Sequence, residues 1–285
     1  MELQNHLCVL KVTGADALNF LQGQLSNDIH LADKHWQLSA YCNPKGRVLT
    51  LFSLWRTDDT VFLILDKGIS EAIVKRLRMY VMRSKVTFEV FDTANCVAIL
   101  SDLEETASGM GELQITDDYA QLGYGKSVLR VSFGDKPDLK SGTAWSQYLI
   151  DSGIPEVSTQ TSELFVPQMI NLDVLNAINF KKGCYTGQEI IARMHYLGKL
   201  KQRMYLLNIS NAESSKVLLE DTLITGSKLI SKDNKNLGSV VKRIDGQLSL
   251  LAVLRIEEVK EQASITLNTG VELQLANPQP YVLPE

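Results

Sequence analysis

Apolar and polar positions alternate with two different periods along the first hundred residues. "HLCVLKVTG" reads as a strand, and "ADALNFLQGQLSNDI" places Leu18, Leu21 and Leu25 at i, i+3 and i+7, one buried helical stripe with Thr13 as its cap. "VLTLFSLWR" and "TVFLIL" are β-rich runs separated by Asp58 and Asp59, which predicts a hairpin. Ser70 is the expected cap of a helix "EAIVKRLRMYVM", with Ile73, Leu77 and Tyr80 or Val81 facing inward. "KVTFEVF" and "CVAIL" follow as strands, so the rhythm is that of an α+β unit.

Residues 101 to 127 are polar and contain glycine, and they predict loops and short strands. "SVLRVSF" is a strand, and "TAWSQYLIDSGIP" is a helix ended by Gly153 and Pro155. From Met204 on, short alternating strands are punctuated by "KDNKN", "IDGQ" and "LNTG", the pattern of a small antiparallel barrel or sandwich. A domain boundary is therefore expected near residue 205.

The chain has 285 residues, 45% of them hydrophobic, enough for two or three cooperating cores. Its net charge of -4 gives the surface as a whole no attraction for nucleic acid or anionic membrane, so an anionic partner would need a local patch. The start lacks a secretory pattern and no apolar run is long enough to span a bilayer, which predicts a cytoplasmic protein without membrane partners. Cys8, Cys42, Cys96 and Cys184 lie far apart with no C-x-x-C pair, against a zinc site or a disulfide framework. The dinucleotide, P-loop, serine-hydrolase and zincin motifs are all missing.

One segment stands out: "FKKGCYTGQEIIARM", residues 180 to 194, sets Cys184 after Lys181 and Lys182 and just before a stretch with helical periodicity, Ile190, Ile191 and Met194. Positive charge and a helix N-terminus both favour a thiolate, whereas free cysteine also packs as a small buried apolar group; spacing alone leaves both readings open. Gly183 and Gly187 allow tight turns. Residues 181 to 203 carry six cations against Glu189, a local basic excess that suits a polyanion or a solvated face. A second basic run, Lys75, Arg76, Arg78, Arg83 and Lys85, lies on the predicted amphipathic helix. Trp145 is either core or a stacking surface for a planar heterocycle.

"KKGCYTGQE", together with "FVPQMINL", "LQGQLSNDI", "NPKGRVLTLFSLWR" and "RSKVTFEV", resembles the YgfZ family of folate-binding, tRNA-modification-linked proteins, over about residues 5 to 210. That likeness implies kinship with the glycine-cleavage T-protein, an aminomethyltransferase. It implies interleaved N-terminal α/β subdomains in residues 1 to 205, followed by a small antiparallel β-barrel in 206 to 285, in a ring around a central cavity. It also implies bound tetrahydrofolate or a one-carbon derivative, and a role in tRNA thiomethylation and in assembly or repair of iron-sulfur enzymes. The implied partners are folate and iron-sulfur client or assembly proteins, with tRNA reached indirectly.

Carried onto this sequence, the resemblance makes Cys184 the functional thiol and a transient iron or cluster ligand, with no stable metal site. It assigns folate contacts to Trp145, Lys182, Tyr185, Gln188, Glu189, Arg193, Gln168, Asn171 and Asn27. Two positions depart from the pattern. Leu7 stands where a second folate-associated tryptophan is expected, and Leu49 or Thr50 stands where the T-protein carries the aspartate that orients the aminomethyl group. Neither side chain holds a cationic amine by charge, so the expectation is a folate-dependent accessory protein rather than a classical enzyme. One-carbon transferase and tRNA-binding or docking module are the alternatives.

Overall fold

The computed structural model describes residues 1–91, 94–100, 110–134, 137–210, 222–261 and 264–284. They group into two compact units, Met1–Trp145 with Asn176–Gln188, and Ser146–Leu175 with Glu189–Glu285. Residues 146–175 and the strand from Gln202 pack with the C-terminal sheet.

The first unit contains two antiparallel sheets. Strands β1 (Glu2–Leu3), β2 (Leu7–Thr13), β3 (Gln37–Cys42), β4 (Val48–Thr57), β5 (Thr60–Asp66), β6 (Thr87–Phe91), β7 (Ala94–Leu100), β8 (Leu113–Ile115), β9 (Tyr119–Gly123) and β10 (Ser127–Phe133) form the orders β3-β4-β5-β2-β6 and β1-β7-β10-β9-β8. The β4–β5 hairpin closes on Asp58 and Asp59 as the spacing predicts, with Asp58 at positive φ. The strands expected at "KVTFEVF" and "CVAIL" both form, in different sheets: β6 pairs with β2, whereas β7 pairs with β1 and β10. In the polar stretch 101–127, β8 and β9 are the short strands expected, and residues 101–109 lie outside the described ones.

Helix α1 (Ala17–Gln22) is shorter than its apolar spacing suggests, and neither Thr13 nor its flanking Asp16 caps it. Gly14, at φ +118, lies so close to the Lys85 carbonyl that a Cβ there would sit 2.1 Å from the oxygen, and the Asp16 carboxylate accepts the Lys85 amide instead. Leu25 is buried but beyond the helix, where it bridges to Tyr41 of β3. Helix α2 (Lys67–Val81) starts earlier than expected: Asp66, the last residue of β5, caps it by accepting from the Gly68 amide, and Ser70 lies inside it. Ile69, Ile73, Val74 and Leu77 bury its apolar stripe against the sheet, and Val81 packs there while Tyr80 is exposed.

In the second unit, β11 (Gln202–Ile209), β12 (Lys228–Ile230), β13 (Asn236–Arg243), β14 (Ser249–Arg255), β15 (Ser264–Thr266) and β16 (Glu272–Leu275) form one antiparallel sheet ordered β12-β13-β14-β11-β16-β15. A bridge between Ser231 and Leu267, and a hydrogen bond from the Asn268 amide to the Ile230 carbonyl, join its two outer edges. The inward residues, among them Leu207, Leu229, Val240, Leu250, Leu254 and Leu273, make one core. Helix α3 (Ala144–Asp151) ends at Gly153, helix α4 (Gln188–Tyr196) follows the cysteine segment, and α5 (Ile256–Glu261) follows β14. On α4 only Ile191 is buried; Ile190 is exposed, so the apolar face expected of Ile190, Ile191 and Met194 is narrower than the spacing suggests.

Candidate functional site

The loop after α1 is short on regular structure and rich in side chains that bind backbone. Ser26 donates to the Ala177 carbonyl at 2.6 Å and accepts from the Ala40 amide at 2.8 Å. Asn27 spends both amide hydrogens on the Leu38 and Asn176 carbonyls, at 2.9 and 2.8 Å. These bonds tie residues 176–179 to β3 and to the α1 loop, across a sequence separation that no local pattern announces.

Onto this frame the cysteine segment is pinned from both sides of the thiol. Asn179 accepts the Lys181 and Lys182 amides, turning the chain so that the Lys182 ammonium enters the interior. There its three hydrogens go to the Gln22, Leu25 and Asn27 carbonyls at 2.7, 2.7 and 2.9 Å. Burial pushes its pKa down to about 8, with the Asp28 carboxylate acting the other way. An ammonium has three donors, so Lys182 has none left for a ligand; it positions the segment.

On the other side, Tyr185 is buried, its ring 5.2 Å from the Lys182 ammonium. Its hydroxyl has no hydrogen-bond partner, and burial, with Cys42 nearby, raises its pKa. The next turn runs from Tyr185 to Gln188, closed by the Gln188 amide on the Tyr185 carbonyl at 3.1 Å. Gly187 takes φ +83 in it, and a Cβ there would lie 2.6 Å from the Asn43 carbonyl oxygen, so the turn rests directly on the β3–β4 connection. Gly183 has no such close neighbour.

Cys184 lies between these anchors, and its side chain is exposed, whereas Cys8, Cys42 and Cys96 are buried. Burial pushes the Cys96 thiol up to about 12 and raises that of Cys42 as well. The frame therefore presents one thiol to solvent on a backbone held at residues 182 and 185–187. Among the described residues, no three His, Cys, Asp or Glu side chains are grouped to hold a metal ion.

Of the other predicted site residues, Trp145 has 1% of its surface accessible and meets Tyr124 edge-on at 5.0 Å, while Tyr124 stacks on Trp36 at 4.1 Å. The ring is packed as core and offers no open stacking face. Leu49 and Thr50 are both buried, and the Thr50 hydroxyl has no partner. In the second unit, Asn171 gives its amide hydrogens to the Met204 carbonyl and the Tyr281 hydroxyl, and accepts from Arg203. Arg203 also grips Asp173 with two nitrogens at 2.7 and 2.8 Å. Gln168 donates to the Ile191 carbonyl, and its Oε1 is buried without a partner. Glu189 and Arg193 are exposed on α4 and Gln188 is half-buried.

Arg203, Asp173 and Tyr281 escaped the sequence reading. Arg203 was counted among the cations of the basic segment, and no local signal marks it as half of a buried pair with a residue 30 positions away. Because Lys182 and Arg203 are both occupied, that segment keeps only Lys181, Arg193, Lys199 and Lys201 on the surface.

No family model matches the chain. It is 28% identical to an uncharacterised protein of Haemophilus influenzae, over 97% of this chain and 96% of that one. It is 30% identical to the tRNA-modifying protein YgfZ of Hamiltonella defensa, over 72% of this chain and 68% of that one. Against the protein of the same name from an Escherichia coli strain, identity is 26% over 96% and 90% of the two chains. Among solved structures, the glycine cleavage system aminomethyltransferase T of Bartonella henselae superposes with a TM-score of 0.69 at 14% identity, over 98% of this chain and 85% of that one, so the two share a fold. With its motif cysteine presented from a T-protein-like fold, and with these relatives, the chain belongs to the YgfZ family of tRNA-modifying proteins.

Proposed function

We propose that this chain is a folate-binding accessory protein of tRNA modification and of iron-sulfur enzyme assembly or repair, acting through the Cys184 thiol. The observation that carries this reading is the clamped cysteine segment: a buried lysine and a buried tyrosine are committed to holding one exposed thiol in place. Structural cysteines need no such frame, as the three buried ones illustrate.

The folate part of the reading draws on the family and on the shared fold, in which residues 1–205 would be the folate-binding region and 206–285 a C-terminal barrel. Within the first unit a bound heterocycle has an unpaired polar atom to meet: the Tyr185 hydroxyl is buried and unsatisfied, a state that costs about 1–3 kcal/mol unless a ligand or water meets it. Lys182 and Asn27 support the frame of the first unit, and Asn171 holds residues of the second together, since their donors are already spent. Gln188, Glu189 and Arg193 have side chains accessible to a ligand. A reduced folate would supply one-carbon chemistry when bound.

Aminomethyl transfer itself is disfavoured, because Leu49 and Thr50 bring no carboxylate to the place where the T-protein orients its amine. Cys184 alone supplies one of the four ligands a cluster takes, so iron or a cluster is handled as cargo in passage, with a client protein providing the rest.

Calorimetric titration with tetrahydrofolate tests the folate reading. Saturable binding is expected, weakened about 2- to 10-fold by Tyr185→Phe, which removes only the hydroxyl and hence one neutral hydrogen bond. An absence of binding by the wild type would remove folate from the account and leave the thiol.

A further inference from the structure

The strongest unassigned feature of the first unit is the solvent side of α2 and the turn after it. Between Ala72 and Phe88 the chain holds Lys75, Arg76, Arg78, Arg83 and Lys85 and no acidic residue, in a protein of net charge -4. The apolar stripe of α2 is already buried against the sheet. Lys75, Arg78, Met79 and Met82 recur at i, i+3, i+4 and i+7, the helix face turned to solvent, and all four are exposed. Arg83 and Lys85 extend the exposed cations past the helix end. Tyr80 stands among them, 39% exposed. Arg76 is half-buried and turned toward the Tyr41 phenol, whose pKa burial pushes up to about 12 against the lowering effect of that guanidinium.

Favourable interaction with the negative end of the helix asks for one basic residue in the last turn, and Arg78 supplies it. The other exposed cations have no such role. Among the described residues, Lys75, Arg78, Arg83 and Lys85 form no ion pair. The Asp16 carboxylate at the turn accepts the Lys85 backbone amide, not the Lys85 ammonium.

We infer that this face docks a structured RNA by its phosphates. Four cations without a carboxylate partner, of which Arg78 also reaches the Phe88 carbonyl, spread over a helix face and its following turn, about 10 Å from Lys75 to Met82 at 1.5 Å per residue, and match a row of phosphates. The exposed Tyr80 ring adds a surface on which an unstacked base can rest. A membrane is the poorer occupant, because a surface-seeking helix inserts an apolar face, and that of α2 is spent on the core. The relatives named as tRNA-modifying make transfer RNA the natural probe. The inference goes beyond the folate and thiol reading and stands without it; it replaces the expectation that tRNA is reached only indirectly.

The test is fluorescence anisotropy of dye-labelled unfractionated tRNA with the full chain across a salt series. Four phosphate contacts predict a log–log salt slope of about -3 to -4. The combined Lys75→Gln, Arg78→Gln, Arg83→Gln and Lys85→Gln variant should bind at least about 10-fold more weakly at low salt with the slope largely abolished. A matched Lys181→Gln, Lys199→Gln and Lys201→Gln variant should stay within about 2-fold of wild type, since it alters the other basic segment. If the four-fold variant melts early, Arg83→Glu alone, outside the helix, should still reduce the slope by about 1 or more. Wild-type affinity in the four-fold variant, loss of binding in the matched one, or binding to phosphatidylserine vesicles without binding to tRNA would each overturn the inference. Cys184→Ala should bind tRNA as wild type does, so failure here is separable from failure of the folate titration.

Discussion

Lys182 shows how a residue that reads as electrostatic bait turns out to be a clamp. Its positive charge beside Cys184 suggested thiolate activation, but the side chain turns away from solvent and gives every hydrogen to a carbonyl of the α1 loop. Lys182→Met should therefore destabilise the protein by about 1–3 kcal/mol, the cost of leaving buried acceptors unpaired, as read by urea denaturation. Proton linkage supplies a second readout. The folded-state pKa of about 8 lies below the ordinary lysine value, so above pH 8 the unfolded chain binds more protons than the folded one. Wild-type stability should rise relative to Lys182→Met as pH goes from about 8 to about 10, by on the order of 1 kcal/mol after solvent screening. A difference that falls over this range would contradict the lowered pKa of Lys182. None of this was legible in the sequence, because the three carbonyls lie 155 to 160 residues away.

At the scale of the element, the cysteine segment is a strut whose shape depends on Gly187. Its positive φ and its contact with the Asn43 carbonyl make Gly187→Ala costly by about 1–3 kcal/mol, measurable as a lowered denaturation midpoint. The strut also fixes which thiol is available. A native-state titration with Ellman's reagent should count one reactive thiol, Cys184, and all four after unfolding; two or more in the native protein would contradict the burial pattern. The hydrophobic period did reveal the β4–β5 hairpin, α2 and the strand-rich C-terminal region, because each is written in neighbouring residues. It misplaced the caps of α1 and α2, where Asp16 serves the Lys85 amide and Asp66 doubles as strand end and helix start. The pairing of β6 and β7 with different sheets was equally hidden, since strand order is decided by long-range packing.

At the scale of the whole molecule, the segment "KGCYTGQE" identified the family before any geometry was known, and the T-protein-like fold agrees with it. What the motif did not disclose is the division of labour within it: one exposed thiol, and around it residues that hold rather than react. In the second unit the same economy ties the short helical turn Pro167–Ile170 to β11 through Arg203 and Asp173. Arg203→Ala should cost about 3 kcal/mol by stranding that carboxylate, read as a lower thermal midpoint. Within the proposed function, the decisive comparison is complementation. In cells lacking their own family member, wild type and Cys184→Ala would be expressed at matched, folded levels, and tRNA thiomethylation and iron-sulfur enzyme activity measured. Restoration by wild type and failure by Cys184→Ala is the predicted result; full restoration by Cys184→Ala would contradict the claim that this frame exists to present a working thiol.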